Sequence, residues 1–399
     1  MKTRQGLLSR VPRLLLLMTA LGWTPTCCRS STAPLSSTPT ITTVFSPSAT
    51  PTLFPTLTRT PTSTELPTPT PTSSLLVSEG TPIPPAFPAI APSSADLLSG
   101  IAEYKTPPLV DFKWHPTRFL LAAATTDSMY LIDPFQAQNI SVISLDEGIT
   151  SFDFSPDGRW LVTGHRLGNN LESFYGKVQL WVAPDYLRAA FFGDNRAVTD
   201  VQFSRDGKTL AIAYSNISDS ESTIQFRDAI TWELLSSIKT GNLVSMGISP
   251  DATTLITIPD RYSIKVWDLE KKEVRYTLPT SFSGAANCLA ISPDGSLFVT
   301  GHYDRSVILW DLARGERLRS MEAKGAIGSL AFHPDGQTLA SGTTYQSALI
   351  QIWSVESGER LRDLEGHPRG VNFLAFAANG QLLASASYDG TIRLWGIRP

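Results

Sequence analysis

Cysteine is almost missing: the 399 residues carry three, Cys27, Cys28 and Cys288. Two neighbours and a distant third give no spaced framework, so disulfides do not hold this fold. Cys288 lies in "NCLAIS", whose apolar neighbours make it a small buried residue with a raised thiol pKa, not a reactive thiol. Histidine is scarce too: His115, His165, His302, His333 and His367 are all there are. There is no C-x-x-C, no H-E-x-x-H and no EF-hand loop, so no metal site is expected. G-x-S-x-G is absent, and the glycines of "GHRLGNNLESFYG" lie between strands instead of before a helix, which excludes a phosphate-binding loop. No catalytic residue and no cofactor are expected. Charge is sparse, at 17% of residues, and residues 96–399 carry a net charge of −7. Nucleic acid needs a basic patch, and none occurs as a run. No apolar run is long enough to span a membrane; the longest, Leu14 to Trp23, has the length of a signal h-region.

What is present divides into three regions. Residues 1–28 place five positive charges, counting Arg29 just beyond, around that apolar stretch, and end in "TPTCC". The pattern resembles a bacterial lipoprotein signal, in which a cysteine becomes the lipidated first residue. The resemblance implies lipidation at Cys27 and an extracytoplasmic protein, membrane-anchored through that lipid or secreted. Thr24, Pro25 and Thr26 depart from the Leu-then-small-residue pattern of that family, so ordinary secretion stands as the alternative. Residues 29–95 are rich in Thr, Pro and Ser. Such a stretch buries too little apolar surface to offset its ordering entropy, and reads as a disordered, semi-stiff linker.

The third region, 96–399, repeats itself. A turn phrase recurs as "SPDG" at Ser155, "SRDG" at Ser204, "SPDA" at Ser249, "SPDG" at Ser292, "HPDG" at His333 and "AANG" at Ala377, with His115-Pro116 before them. Pro presets φ, Asp bonds the local backbone, and Gly accepts the positive φ that closes the turn. Alternating strand-like stretches flank each phrase. A third strand ends at Ile132, Trp181, Phe226, Trp267, Trp310, Trp353 or Trp395, and a short fourth follows. Four-stranded sheets apolar on both faces are stable only when neighbours cover them. Seven such units predict an all-β, seven-bladed β-propeller of four-stranded antiparallel blades.

"VILWDLARGERL" and "IKVWDLEKKEV" resemble WD-repeat (WD40) proteins, and the resemblance extends from about residue 107 to the C-terminus. It implies a buried relay that fixes each blade: His367, Ser385, Asp389 and Trp395 in repeat 7. In repeat 5 it implies Thr300, Asp304 and Trp310, without the histidine. Repeats 1 to 3 are worn. The chain stops after the third strand of repeat 7, so a strand from about residues 97–106 is expected to pair beside Thr391–Trp395 and close the ring.

The insertions between second and third strands are longest in repeats 2 and 3, "RLGNNLESFYG" (166–176) and "SNISDSES" (215–222). Read as neighbouring binding loops, they offer Arg166, Asn169, Asn170, Phe174, Tyr175, Asn216, Asp219 and Glu221. Together with the resemblance, they lead to the expectation of a non-enzymatic, monomeric scaffold that binds a protein or peptide through its loop face. The alternatives are an extracytoplasmic propeller hydrolase or lyase, and a carbohydrate-binding module.

Overall fold

Each repeat of the turn phrase becomes one antiparallel sheet in the computed structural model. The structure describes residues 87–399 apart from 135–139, 145–147, 171–172, 195, 216–220, 281–283, 345–346 and 398–399. These residues belong to one compact unit, Thr58–Pro399. The proposed signal, Cys27 and most of the linker lie outside the described residues.

Seven four-stranded sheets are present among the described residues. Blades 1 to 6 run from inner to outer strand in chain order, as in blade 5: Ala286–Ile291, Leu297–His302, Ser306–Asp311, Arg317–Glu322. The inner strands of blades 1, 2, 3, 4 and 6 are Asp111–Trp114, Ile149–Phe154, Ala197–Phe203, Ser245–Ile248 and Ile327–Phe332. Blade 7 has Val371–Phe376, Leu382–Ser387 and Thr391–Ile397, and takes its outer strand from the other end of the domain. That strand, Leu98–Lys105, pairs antiparallel from Leu98 opposite Ile397 to Lys105 opposite Thr391. The expected closure is therefore present. Arg393 and Glu103 add an ion pair of 2.8 Å across it.

The core is divided as the geometry demands. Among the described residues seven apolar clusters occur, one at each junction between neighbouring blades. The cluster between blades 7 and 1 joins Ile392 and Leu394 to Phe112, Trp114 and Leu121, with Tyr104 of the closing strand. Every sheet is apolar on two faces because it is covered on two faces, and each fully buried aliphatic or aromatic side chain contributes roughly 1.5–3 kcal/mol.

The turn phrase works as its residues suggest. Ser155 Oγ accepts the Trp160 N–H at 2.9 Å, Asp157 accepts the Arg159 N–H at 3.0 Å, and Gly158 holds φ at +70°. The same serine, aspartate and backbone donors recur at Ser204, Ser249 and Ser292.

One boundary moves. The linker was expected to reach residue 95, yet Phe87, Ile90 and Ala95 are buried. Ile90 and Ala95 enter the cluster between blades 6 and 7, and the Ile90 N–H donates to Gly380 O at 2.9 Å. These apolar residues are too few to stand out against the proline around them.

Candidate protein-binding face

In five blades an indole-to-hydroxyl bond ties the third strand to the second. In blade 7, Trp395 Nε1 donates to Ser385 Oγ at 2.8 Å, and His367 Nε2 lies 2.8 Å from the same oxygen. His367 Nδ1 then faces Asp389 at 3.2 Å and Thr391 Oγ1 at 3.1 Å. Blade 5 keeps a relay by another route. Trp310 Nε1 donates to Thr300 Oγ1 at 2.9 Å, and His302, two residues on, supplies the imidazole at 2.8 Å. Asp304 stays outside this chain and caps its own turn through the Ser306 N–H and hydroxyl. Blade 2, read as worn, repeats the arrangement with Thr163, His165 and Trp181. The shared "TGH" of 163–165 and 300–302 is the sequence signal for it. Blades 4 and 6 keep the indole-to-hydroxyl bond, Trp267 to Thr257 and Trp353 to Ser341. Burial holds the His302 and His367 imidazoles below the ordinary histidine range; in His367 the neighbouring Asp389 offsets this only in part.

The turns between second and third strands share one face with the connections that lead from blade to blade. The Tyr303 N–H donates to Ala285 O, the Tyr388 N–H to Gly370 O, and the Ala286 N–H to Arg261 O. This face carries Tyr262, Tyr303 and Tyr388, each 44–46% exposed. Arg261 stacks 5.4 Å from the Tyr303 ring centroid, and its Nη1 donates to the Tyr303 hydroxyl at 2.6 Å and to Asn287 Oδ1 at 2.9 Å. Asn287 Nδ2 in turn donates to Ile327 O in blade 6. Three blades thus fix one arginine–tyrosine pair, with Tyr303 exposed and Arg261 half-buried. None of these residues was singled out from the sequence. Tyrosines in turns of ordinary length carry no signal there.

The residues that were singled out take a different form. Arg166, Asn169 and Asn170 belong to a strand, Trp160–Asn170, and Phe174 and Tyr175 to its partner, Ser173–Val182. The blade 2 insertion is a lengthened hairpin in place of an irregular loop, because its two arms continue the ladder as far as Asn170 opposite Ser173. Glu221 opens the strand Glu221–Asp228 and stands 3.5 Å from Lys239 in an exposed pair. Asn216 and Asp219 lie outside the described residues.

At the opposite end the central channel widens into a cavity of about 530 Å³. Arg205, where most turn phrases have proline, reaches across to donate to Pro293 O at 2.6 Å. Among the described residues, no three His, Cys, Asp or Glu side chains are grouped to hold a metal ion. Burial pushes the Cys288 thiol up to about 12.

Comparison with known proteins agrees with this architecture. Residues 140–181, 272–311, 315–354 and 358–396 match the family model described as WD domain, G-beta repeat. A 68-residue stretch is 47% identical to the periodic tryptophan protein 2 homolog of Neurospora crassa, covering 17% of this chain and 8% of that protein. Over 70 residues the chain is 41% identical to pre-mRNA-processing factor 19 of Oryza sativa, covering 18% and 13%. Over 80 residues it is 34% identical to the serine-threonine kinase receptor-associated protein of Gallus gallus, covering 20% and 22%. The matches thus span between 8% and 22% of these relatives. A chain of the "Crystal Structure of Mitotic Checkpoint Complex" superposes with a TM-score of 0.64 at 18% identity, covering 80% of this chain and 95% of that one; this is a likeness of fold.

These relatives correct one expectation. An extracytoplasmic location was expected from residues 1–28, but the matched proteins are eukaryotic and include a pre-mRNA-processing factor, whose named work lies inside the cell. The likeness to a short basic-apolar leader is outweighed by these longer matches. With seven sheets closed into a ring, the chain is a seven-bladed β-propeller, four segments of which match the WD40 repeat model.

Proposed function

We propose that this propeller is a scaffold that binds a protein partner through the face bearing Arg261, Tyr262, Tyr303 and Tyr388. The observation that carries the reading is the Arg261–Tyr303 pair on this face, held by Asn287 and the blade 6 backbone. Tyrosine and arginine dominate binding energy at interfaces because they present large rigid surfaces with polar ends. Here the side chains are also fixed in advance, which lowers the entropy lost on association. Relatives with the same repeats support an interaction role; one is named a receptor-associated protein.

The test is site-specific crosslinking of the full chain in cells, with the crosslinked partner identified by mass spectrometry and its affinity then measured. Arg261→Ala/Tyr303→Ala should weaken that affinity at least tenfold. Phe174→Ala/Tyr175→Ala, in the blade 2 hairpin, is the competing site. Loss in the second variant with none in the first would move the interface there.

A further inference from the structure

The inner strands of blades 1, 2 and 3 bring four charged side chains together in the channel wall. Lys113 Nζ stands 3.2 Å from Asp153 and 3.9 Å from Asp111, and donates to Phe152 O at 2.6 Å. Asp153 accepts the Phe203 N–H at 2.7 Å, and Asp111 Oδ2 accepts the Phe152 N–H at 2.9 Å. All but the Lys113–Asp111 approach cross from one blade to the next. Asp200, the third carboxyl, pairs with no cation among the described residues; Gln202 Nε2 approaches its Oδ2 at 3.3 Å.

Ser151 determines where the protons sit. Its Oγ is 3.1 Å from Asp111 Oδ2 and 2.9 Å from Asp200 Oδ1. A hydroxyl has one proton to donate. Were both carboxyls ionised, one of these two approaches would set lone pair against lone pair with no hydrogen between them. Asp111 already has an amide donor and the nearby ammonium, so it is the ionised partner. Asp200 must supply the missing hydrogen: its carboxyl O–H donates to Ser151 Oγ while the Ser151 hydroxyl donates to Asp111.

We propose that Asp200 holds a proton relayed through Ser151 to Asp111, and that its release is a switch that loosens the arc of the channel formed by blades 1 to 3. The charged and polar groups facing Asp200 are Asp111 and Lys113 from blade 1, Ser151 and Asp153 from blade 2, and Gln202 on its own strand. Blade 4 adds the Met246 carbonyl, which accepts from Gln202 at 3.1 Å. With the proton present, two carboxylates face one ammonium. Without it, three do, in a partly water-excluded wall where like charges repel strongly. Burial lifts the Asp200 carboxyl to about 6, Asp111 and Asp153 push it the same way, and Lys113 opposes them. The switch therefore operates in the mildly acidic range, near pH 6.

The sign follows. Between about 4 and about 6 the folded chain holds a proton that the unfolded chain has lost, so this group's contribution to stability falls as pH rises through that window. Two measurements on the full chain decide the matter. The Asp200 carboxyl, followed by carbon-13 NMR and assigned by its disappearance in Asp200→Asn, should titrate near 6, and lower in Asp111→Asn. Hydrogen-exchange protection of the Phe152 and Phe203 amides, corrected for intrinsic rate, should fall at least tenfold from pH 5 to pH 7.5. It should stay level in Asp200→Asn, whose amide mimics the protonated acid. Titration near 4, or the same loss of protection in Asp200→Asn, overturns the proposal. If the variants fail to fold, the wild-type titration still decides, with Asp200 assigned through its backbone.

Discussion

Glu103, in the first strand of the domain, and Arg393, in its last, form an ion pair of 2.8 Å with both side chains largely buried. Almost three hundred residues of chain separate them. The pair marks the seam where the ring is fastened, and everything between depends on that seam for its last covered face. Closing so long a loop is entropically costly, and the cost is offset because the closing strand buries Ile101, Ala102 and Tyr104 against blades 7 and 1.

The first prediction tests this seam. Ile101 is 1% exposed, and Ile101→Ala should cost about 2–5 kcal/mol, read as a lowered urea midpoint. Deleting Leu98–Lys105 should do more. It leaves Thr391–Ile397 as an open apolar edge, and size-exclusion chromatography should show aggregates in place of a folded species. A soluble deletion variant with an unchanged midpoint would mean that the seam does not fasten the ring.

A second prediction concerns the blade 5 relay. Thr300 Oγ1 is shared by Trp310 Nε1 and His302 Nε2, and all three residues are buried. Thr300→Val keeps the shape and removes the oxygen, stranding two polar groups at about 1–3 kcal/mol each. Adding Trp310→Phe removes one stranded group and should recover part of that loss. A double-mutant cycle by chemical denaturation would show the coupling; strictly additive losses would mean that the hydroxyl does not join the two.

What the sequence revealed of this follows from where its signals lie. The propeller was legible because Ser, Pro, Asp and Gly are each needed at their own place in the turn, so the phrase survives repetition. The closing strand was legible because a missing outer strand is a countable deficit. The "TGH" relays are half legible: the shared phrase makes the two histidines equivalent, but their bond to the hydroxyl two residues earlier depends on the third strand folding back. Arg261 and Tyr303 are 42 residues apart and meet only because blades 4 and 5 are neighbours. Asp111, Ser151 and Asp200 are even less visible, since each looks like an ordinary polar position on an alternating strand. In blade 2 the insertion 166–176 lengthens a hairpin, a form that its length alone does not reveal.

The third prediction is chemical. Cys288 is the one cysteine among the described residues; its thiol is pushed up to about 12, and Sγ lies 2.8 Å from where a Cβ on Gly301 would stand. A thiol ionises before it attacks, so at pH 8 Cys288 should react with Ellman's reagent at least a hundredfold more slowly than in urea-unfolded protein. Cys27→Ser/Cys28→Ser should be used so that Cys288 alone is read. Rapid native labelling would place the thiolate in a more open setting.

The last prediction is sensitivity to acid, and its sign comes from the histidines. Burial lowers the pKa of His115, His302 and His367 below the ordinary value of 6.5. For a group lowered in the fold, the unfolded chain takes up the proton first as pH falls. Stability is therefore full above about 6.5 and is lost below it, until the folded imidazole also charges. His302 has a specific reason to resist: its two nitrogens lie 2.8 Å from Thr300 Oγ1 and 2.6 Å from Gly284 O. A neutral ring can donate to the carbonyl and accept from the hydroxyl, whereas a charged ring can only donate. The threonine hydroxyl would then have to turn its proton away while still accepting from Trp310. Urea midpoints at pH 7.5, 6.5 and 5.5 should fall with acid in the wild type. In His302→Asn the midpoint should start lower, because the relay is weakened, but change less across the series. Asp200 acts in the opposite direction below about pH 6, so the comparison belongs in an Asp200→Asn background, where the histidine slope stands alone. A slope unchanged by His302→Asn in that background would show that His302 does not set the acid limit.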